Sequence, residues 1–175
     1  SVESARDSKS KNPIELGHKL IASAETADER AWKLMREGEE LQRKSSDLVL
    51  KVASDPGVSS KILHELALDQ RPWVRMILAA NESLSDETQG RLASDVDTQV
   101  RKSLAENINA TSEILVRLAG DEAMEVRMKV AQRNGKTPLE AFARLTTDST
   151  AFVLRAVAKN PNTPPEILAR LAGDE

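Results

Sequence analysis

Cysteine is absent from this chain of 175 residues, which removes disulfides, thiolate metal ligands and thiol nucleophiles together. Aromatic side chains are scarce, with two Trp, two Phe and no Tyr, so a core must be built from Leu, Ile, Val and Ala. That composition favours helices over sandwiches or barrels. Charge of one sign is also missing: 25 basic against 28 acidic side chains leave a formal net charge of -3. Such a balance gives no global field to gather nucleic acid or anionic lipid, and leaves room only for a local basic stripe. No apolar run approaches the roughly 20 residues that span a bilayer, and no signal peptide is recognisable, so the expectation is a soluble, cytoplasmic protein with no membrane contact. The chain does not start with Met, and Ser1 points to a trimmed segment. No Gly-rich phosphate loop, metal-ligand spacing or nucleophile elbow occurs, so neither a cofactor nor catalysis is expected.

What is present is repetition. EILVRLAGDE at residues 113–122 returns as EILARLAGDE at 166–175. Starting each unit at the Leu before a small residue gives four blocks, 66–91, 92–117, 118–144 and 145–170, of 26, 26, 27 and 26 residues. Their shared frame is L-x-x-D-x4-V-x3-[LV]-A, then Asn, then a short turn, then E-[IL]-x-x-R. Half a unit, 45–65, precedes the first block, and residues 171–175 open a fifth. Internal repeats of this length mark arrays in which each unit depends on its neighbours for cover.

Each unit divides into two short helices. In the last one Thr163 serves as N-cap with Pro164 at the first helical position, and Ile167, Leu168 and Leu171 share one face. Gly173 ends that helix, as Gly120 does two units earlier. The second helix carries Val153, Val157 and Ala158, matched by Val126, Val130 and Ala131 and by Val100, Leu104 and Ala105. The fold expected is all-α, an α-solenoid of two-helix repeats with a period of about 26 residues.

These residues resemble a known family. LAGDEAMEVRMKVAQRNGKTPLEAFARL and AVAKNPNTPPEILARLAGDE are similar to the leucine-rich repeat variant, whose units run approximately L-A-x-D-x4-V-R-x-x-V-A-x-N-P-x-T-P-x3-L. The resemblance covers about residues 48–175, and NPNTPPEILARLA is its most specific stretch. It implies a right-handed superhelix, near to HEAT-like repeats, in which an α-helix alternates with a 3₁₀-helix. Some relatives carry an iron–sulfur cluster on an N-terminal cysteine motif; this chain has no Cys, so that function does not carry over. The resemblance implies an architecture and a binding habit rather than a reaction.

Repeats turn a sequence into columns. Asp69, Asp95, Asp121 and Asp148 form one, with Arg75, Arg101 and Arg127 six residues after the first three; they can join within or between units as a structural ladder. Arg91, Arg117, Arg144 and Arg170 each follow a Glu by four, the favourable order for a helix-surface pair. Asn81, Asn107, Asn134 and Asn160 lie just past the second helix and fit a cap or turn ladder that fixes the pitch of the stack. Before the core Val the units have Trp73, Gln99, Glu125 and Phe152. A column that accepts Gln and Glu should lie near solvent, which makes Trp73 and Phe152 candidate anchors for a protein partner; the alternative is that each fills an adjoining groove. Leu154 replaces the ladder Arg in the fourth unit, with Arg155 one residue on, so Asp148 there has its partner lost or rebuilt. His64 falls in a half-buried helix column.

The N-terminal region does not obey the frame. Residues 1–11 are polar and expected to be flexible, and 12–44 form a helical cap, with Trp32 and Met35 on the first unit. The expected function is a non-catalytic scaffold that binds another protein along its concave face or through Trp73 and Phe152. A HEAT-like nucleic-acid-binding protein or base-modifying enzyme, with Lys102, Lys129, Lys159 and the Arg ladder as its track, is the alternative, and a structural spacer is a third. At the C-terminus the repeated phrase lacks the second helix that follows it elsewhere, which suggests a truncated boundary or end-to-end self-association.

Overall fold

The computed structural model describes Glu40 and residues 43–173, and the chain separates into two compact units, Ser1–Asp47 and Leu48–Glu175. The expectations for residues 1–11, for Trp32 and Met35 of the cap, and for the last two residues of the opened fifth unit lie outside the described residues. A helix α1, described over residues 43–54, is followed in the second unit by α2 (Ser60–Leu66), α3 (Pro72–Ala79), α4 (Asp86–Leu92), α5 (Thr98–Glu106), α6 (Ser112–Leu118), α7 (Met124–Gln132), α8 (Leu139–Leu145), α9 (Ala151–Lys159) and α10 (Pro165–Ala172).

Helices of seven to nine residues are too short to stand alone, so packing holds them. The second helix of each repeat packs on the next: α3 on α5, α5 on α7, α7 on α9. The first helices form the other layer, as α6 on α8 does. Between the layers runs one ribbon of core in which Leu78, Val100, Leu104, Val126, Val130, Val153 and Val157 are fully buried, and Leu92, Leu118 and Leu145 meet them from the first helices. Ala79, Ala105 and Ala131, also fully buried, let successive second helices approach closely. Ala158 breaks that column and is exposed, because no further second helix covers α9 among the described residues.

Several local expectations need correction. The 3₁₀-helices implied by the resemblance do not form among the described residues; the first helices are α as well. In α6 the Leu115 and Ala119 amides donate to the carbonyls four residues back, and only the exit tightens, with Gly120 and Asp121 bonding three residues back. Thr163 does not cap α10: its hydroxyl donates to the Val157 carbonyl at 2.6 Å, Pro164 takes the cap and Pro165 the first turn. Gly173 does end α10 in the left-handed region, at φ 78°. Gly120 has another role. It follows an ordinary right-handed cap, and the Arg144 guanidinium lies 2.9 Å from where its Cβ would stand, so a side chain there would push Arg144 off the surface. Leu168 is 40% exposed rather than part of a buried face; Ile167 alone of that trio is fully covered.

Candidate functional site

The Arg and Asp columns meet across the joints. Arg75 Nε and Nη2 donate to the Asp95 carboxylate at 2.6 and 2.9 Å, Arg101 grips Asp121 at 2.8 and 3.0 Å, and Arg127 grips Asp148 at 2.5 and 3.3 Å. Each Arg also sends Nη1 to the backbone carbonyl of its own unit's Asp, at 2.6, 2.7 and 2.8 Å. Every carboxylate in turn accepts the amide two residues on, which fixes the entry to the second helix. One guanidinium thus ties two successive units with a bidentate, charge-assisted contact. Asp148 has not lost its partner to Leu154; it belongs to Arg127 and also receives the Thr150 hydroxyl. Leu154 removes the Arg that would reach the following unit.

Burial raises the Asp95 and Asp148 carboxyls, but the hydrogen bonds from Arg75 and Arg127, those of the neighbouring turn groups, and the arginine charges outweigh it. Both end below the ordinary carboxylate value. Asp69, held by the side chain of Arg71, falls to about 2. A carboxyl lowered on folding contributes stability that is complete above its unfolded pKa of about 3.9 and is lost as pH falls through the folded value. Acid unfolding followed by circular dichroism should therefore be steepest between about pH 4 and the region of Asp69 near about 2. A midpoint at pH 5 or above would exclude the ladder as its cause.

The Asn column forms a second seam. Asn81 Nδ2 donates to the carbonyls of Ala53 and Asp55, Asn107 to those of Ala79 and Asn81, and Asn160 to those of Ala131 and Arg133. Their Oδ1 atoms receive the amide two residues on. Asn134 is not in this seam. It is exposed, and Arg133 occupies the rung, giving Nη1 to the Ala105 and Asn107 carbonyls. The arithmetic of the repeat contained this: 26 residues after Asn107 is Arg133, and the extra residue of the third unit follows it. Sequence reasoning kept the letter and lost the position. It also missed Gln89, buried at the first-helix joint, which donates to the Leu84 and Asn109 carbonyls and accepts the Thr111 amide.

The expected Glu-to-Arg pairs along the first helices are not made at Glu87–Arg91, Glu113–Arg117 or Glu140–Arg144. Arg117 reaches back to the Ser94 hydroxyl at 2.6 Å and Arg144 to the Val116 carbonyl at 3.1 Å, because the preceding unit offers fixed acceptors. His64 is half-buried, with Nδ1 3.2 Å from the Thr88 hydroxyl and Nε2 3.8 Å from Glu87.

The candidate anchors separate. Phe152 is 64% exposed on α9, whereas Trp73 is half-buried, with the Arg71 guanidinium 5.2 Å from its ring centroid. Leu154 is half-buried. Trp73 shares α3 with Met76, and Phe152 shares α9 with Arg155 and Lys159. Among the described residues Lys102, Arg155 and Lys159 make no ion pair, while Lys129 is held by Glu106. A groove of about 440 Å³ opens between α3 and α5, with Met76, Ile77 and Ala80 on one wall and Gln99, Lys102 and Glu106 on the other. The ladder arginines do not join this face, since each is engaged by an Asp carboxylate.

The unit built on α9 and α10 carries core Val153 and Val157, rung Asn160, and an apolar first helix entered after a proline. Residues 151–175 match the leucine rich repeat variant family. No curated protein and no solved structure matches the chain significantly. The matched stretch is a two-helix unit whose Asn160 reaches back to the carbonyls of the unit before it. The three preceding units present the same two seams, with Arg133 as the one substituted rung. Among the described residues no helix is long and apolar enough to cross a membrane.

Proposed function

We propose that this chain is a non-catalytic scaffold whose second-helix face binds a protein partner, with Phe152 as the principal anchor and Trp73 as a lesser one. The observation that carries the reading is Phe152, a large aromatic left 64% exposed on a rigid helix whose other face is fixed in the core by Val153 and Val157. Arg155 and Lys159, three and seven residues on along the same helix, set beside it cations that no described carboxylate pairs with, so the partner segment that fits is acidic with an apolar side chain at its centre. A stack already ordered by two polar seams loses little conformational entropy when it binds.

The test is affinity capture with cross-linking on the wild type and on Phe152→Ser. An anchor of this kind is worth about 2 kcal/mol or more, about thirty-fold in affinity, while removal of an exposed ring changes stability by less than about 0.5 kcal/mol. Cross-links should map to the second helices and fall away in the variant, with an unchanged thermal midpoint. Retention identical in both proteins removes Phe152 from the reading. A salt-dependent shift of duplex DNA would replace the reading with nucleic-acid binding.

A further inference from the structure

Among the described residues two buried side-chain atoms have no hydrogen-bond partner, Arg133 Nε and Thr137 Oγ1. They bracket one turn, RNGKT at 133–137, in the unit that is one residue longer than the others. The neighbouring Asn rungs are complete, since a carboxamide gives two N–H groups to two carbonyls and accepts one amide. A guanidinium has five N–H donors. Arg133 uses Nη1 on the Ala105 and Asn107 carbonyls and Nη2 on the Ile108 carbonyl at 2.7 Å, which leaves Nε–H and one Nη2 N–H over.

At Arg75, Arg101 and Arg127 the Nε and Nη2 atoms hold a carboxylate. Arg133 has none. Glu106 lines the same cleft, of about 380 Å³, but is bound to Lys129. Burial alone acts on the Arg133 guanidinium and lowers its pKa, with no acidic group to reverse it. Gly135 faces this edge: a Cβ there would lie 3.2 Å from both Nε and Nη2, so glycine keeps room along it. Lys136 follows, exposed and without an ion-pair partner among the described residues. Gly135, Lys136 and Thr137 also line a second cleft, of about 510 Å³, with Ser112 and Asn162, and Asn134 and Gly135 belong to both clefts.

We propose that the 133–137 turn is a binding site for a phosphate-type oxyanion, held by the free edge of Arg133, the Lys136 ammonium and the Thr137 hydroxyl. Two cations without a carboxylate favour a dianion over a single carboxylate, and guanidinium, ammonium and hydroxyl are all donors to it. A water molecule would complete the hydrogen bonds but offset neither charge. The site is independent of the Phe152 face.

The experiment is a titration of the ¹⁵N-labelled chain with inorganic phosphate, and separately with O-phosphoserine, at fixed ionic strength. The Arg133 Nε–H and Gly135 amide resonances should shift saturably, and more weakly below about pH 6, where the second phosphate proton returns. Arg133→Asn restores the residue found at the other rungs, so it should fold and lose the response; Thr137→Val should keep the fold and weaken the response several-fold. If Arg133→Asn is unfolded by circular dichroism, Lys136→Gln takes its place. A response to phosphate alone assigns the free ion, and a response also to phosphoserine extends the site to a phosphorylated side chain. No saturable shift with either anion, or an undiminished response in the folded variants, overturns the proposal.

Discussion

Arg101→Ala is expected to cost about 3–5 kcal/mol of stability, the range for breaking a buried ion pair from one side. Its side chain is 6% exposed and that of its partner Asp121 is 7% exposed, the most enclosed of the three ladder pairs as a whole. Removing the guanidinium leaves the Asp121 carboxylate buried against the remaining Ala123 amide, and strips a donor from the Asp95 carbonyl. The decisive comparison is the double variant Arg101→Met, Asp121→Asn. It removes both charges while the Asn Oδ1 still receives the Ala123 amide, so it should be the more stable of the two. Urea unfolding followed by circular dichroism gives the difference, and hydrogen exchange should place the loss at the joint between α5 and α7. If the double variant is no more stable than the single one, the ladder is not an electrostatic clasp and the side chain acts through packing alone.

The second large effect compares the two phenylalanines. Phe142, in α8, is 1% exposed within the core ribbon, and Phe142→Ala should cost about 3–5 kcal/mol through lost transfer energy and the cavity it leaves. Phe152→Ala, ten residues on, should change stability by less than about 0.5 kcal/mol. The same deletion at two neighbouring sites isolates burial from residue type, and thermal or urea unfolding reads both. Comparable losses at the two positions would mean that Phe152 is covered in solution, and would withdraw it as an exposed anchor.

These two residues show why a column of the repeat is a weak guide to exposure. The column of Phe152 contains Gln99 and Glu125, both exposed, and the inference from polar companions to solvent holds for Phe152, while Trp73 in the same column is half-buried. The column of Phe142 contains Gln89, and Gln89 is buried, because its amide meets two carbonyls and an N–H from the adjoining turn. A polar letter means solvent only when no neighbouring backbone completes its hydrogen bonds, and two of the three partners of Gln89 lie 20 and 22 residues away in sequence. Arg133 is the sharper case: as a letter it looks like a surface cation, and as a rung it is a buried donor.

The pairing rules show the same limit. Glu four residues before Arg favours a pair on an isolated helix by only about 0.2–0.5 kcal/mol. In the stack Arg117 and Arg144 find acceptors on the unit before them, and the local preference is overridden. The Asp and Arg columns are spaced six apart within a unit, yet the ion pair joins residues 20 or 21 apart, and the six-residue relation survives only as an Arg bond to the Asp carbonyl.

By itself the sequence determined that this protein is a stack of two-helix units. A period of about 26 residues, an aliphatic core pattern and helices too short to stand alone leave few other ways to bury the apolar faces. It also marked which columns hold polar residues in step. Only the tertiary structure decided what those residues do. The joint between units brings a guanidinium to the next unit's carboxylate, a carboxamide to the previous unit's carbonyls, and Arg133 to a rung with donors left over. Apolar periodicity is local and can be read along the chain. Hydrogen-bond completion depends on which backbone atoms the stacking places alongside, and that is set by the neighbouring unit.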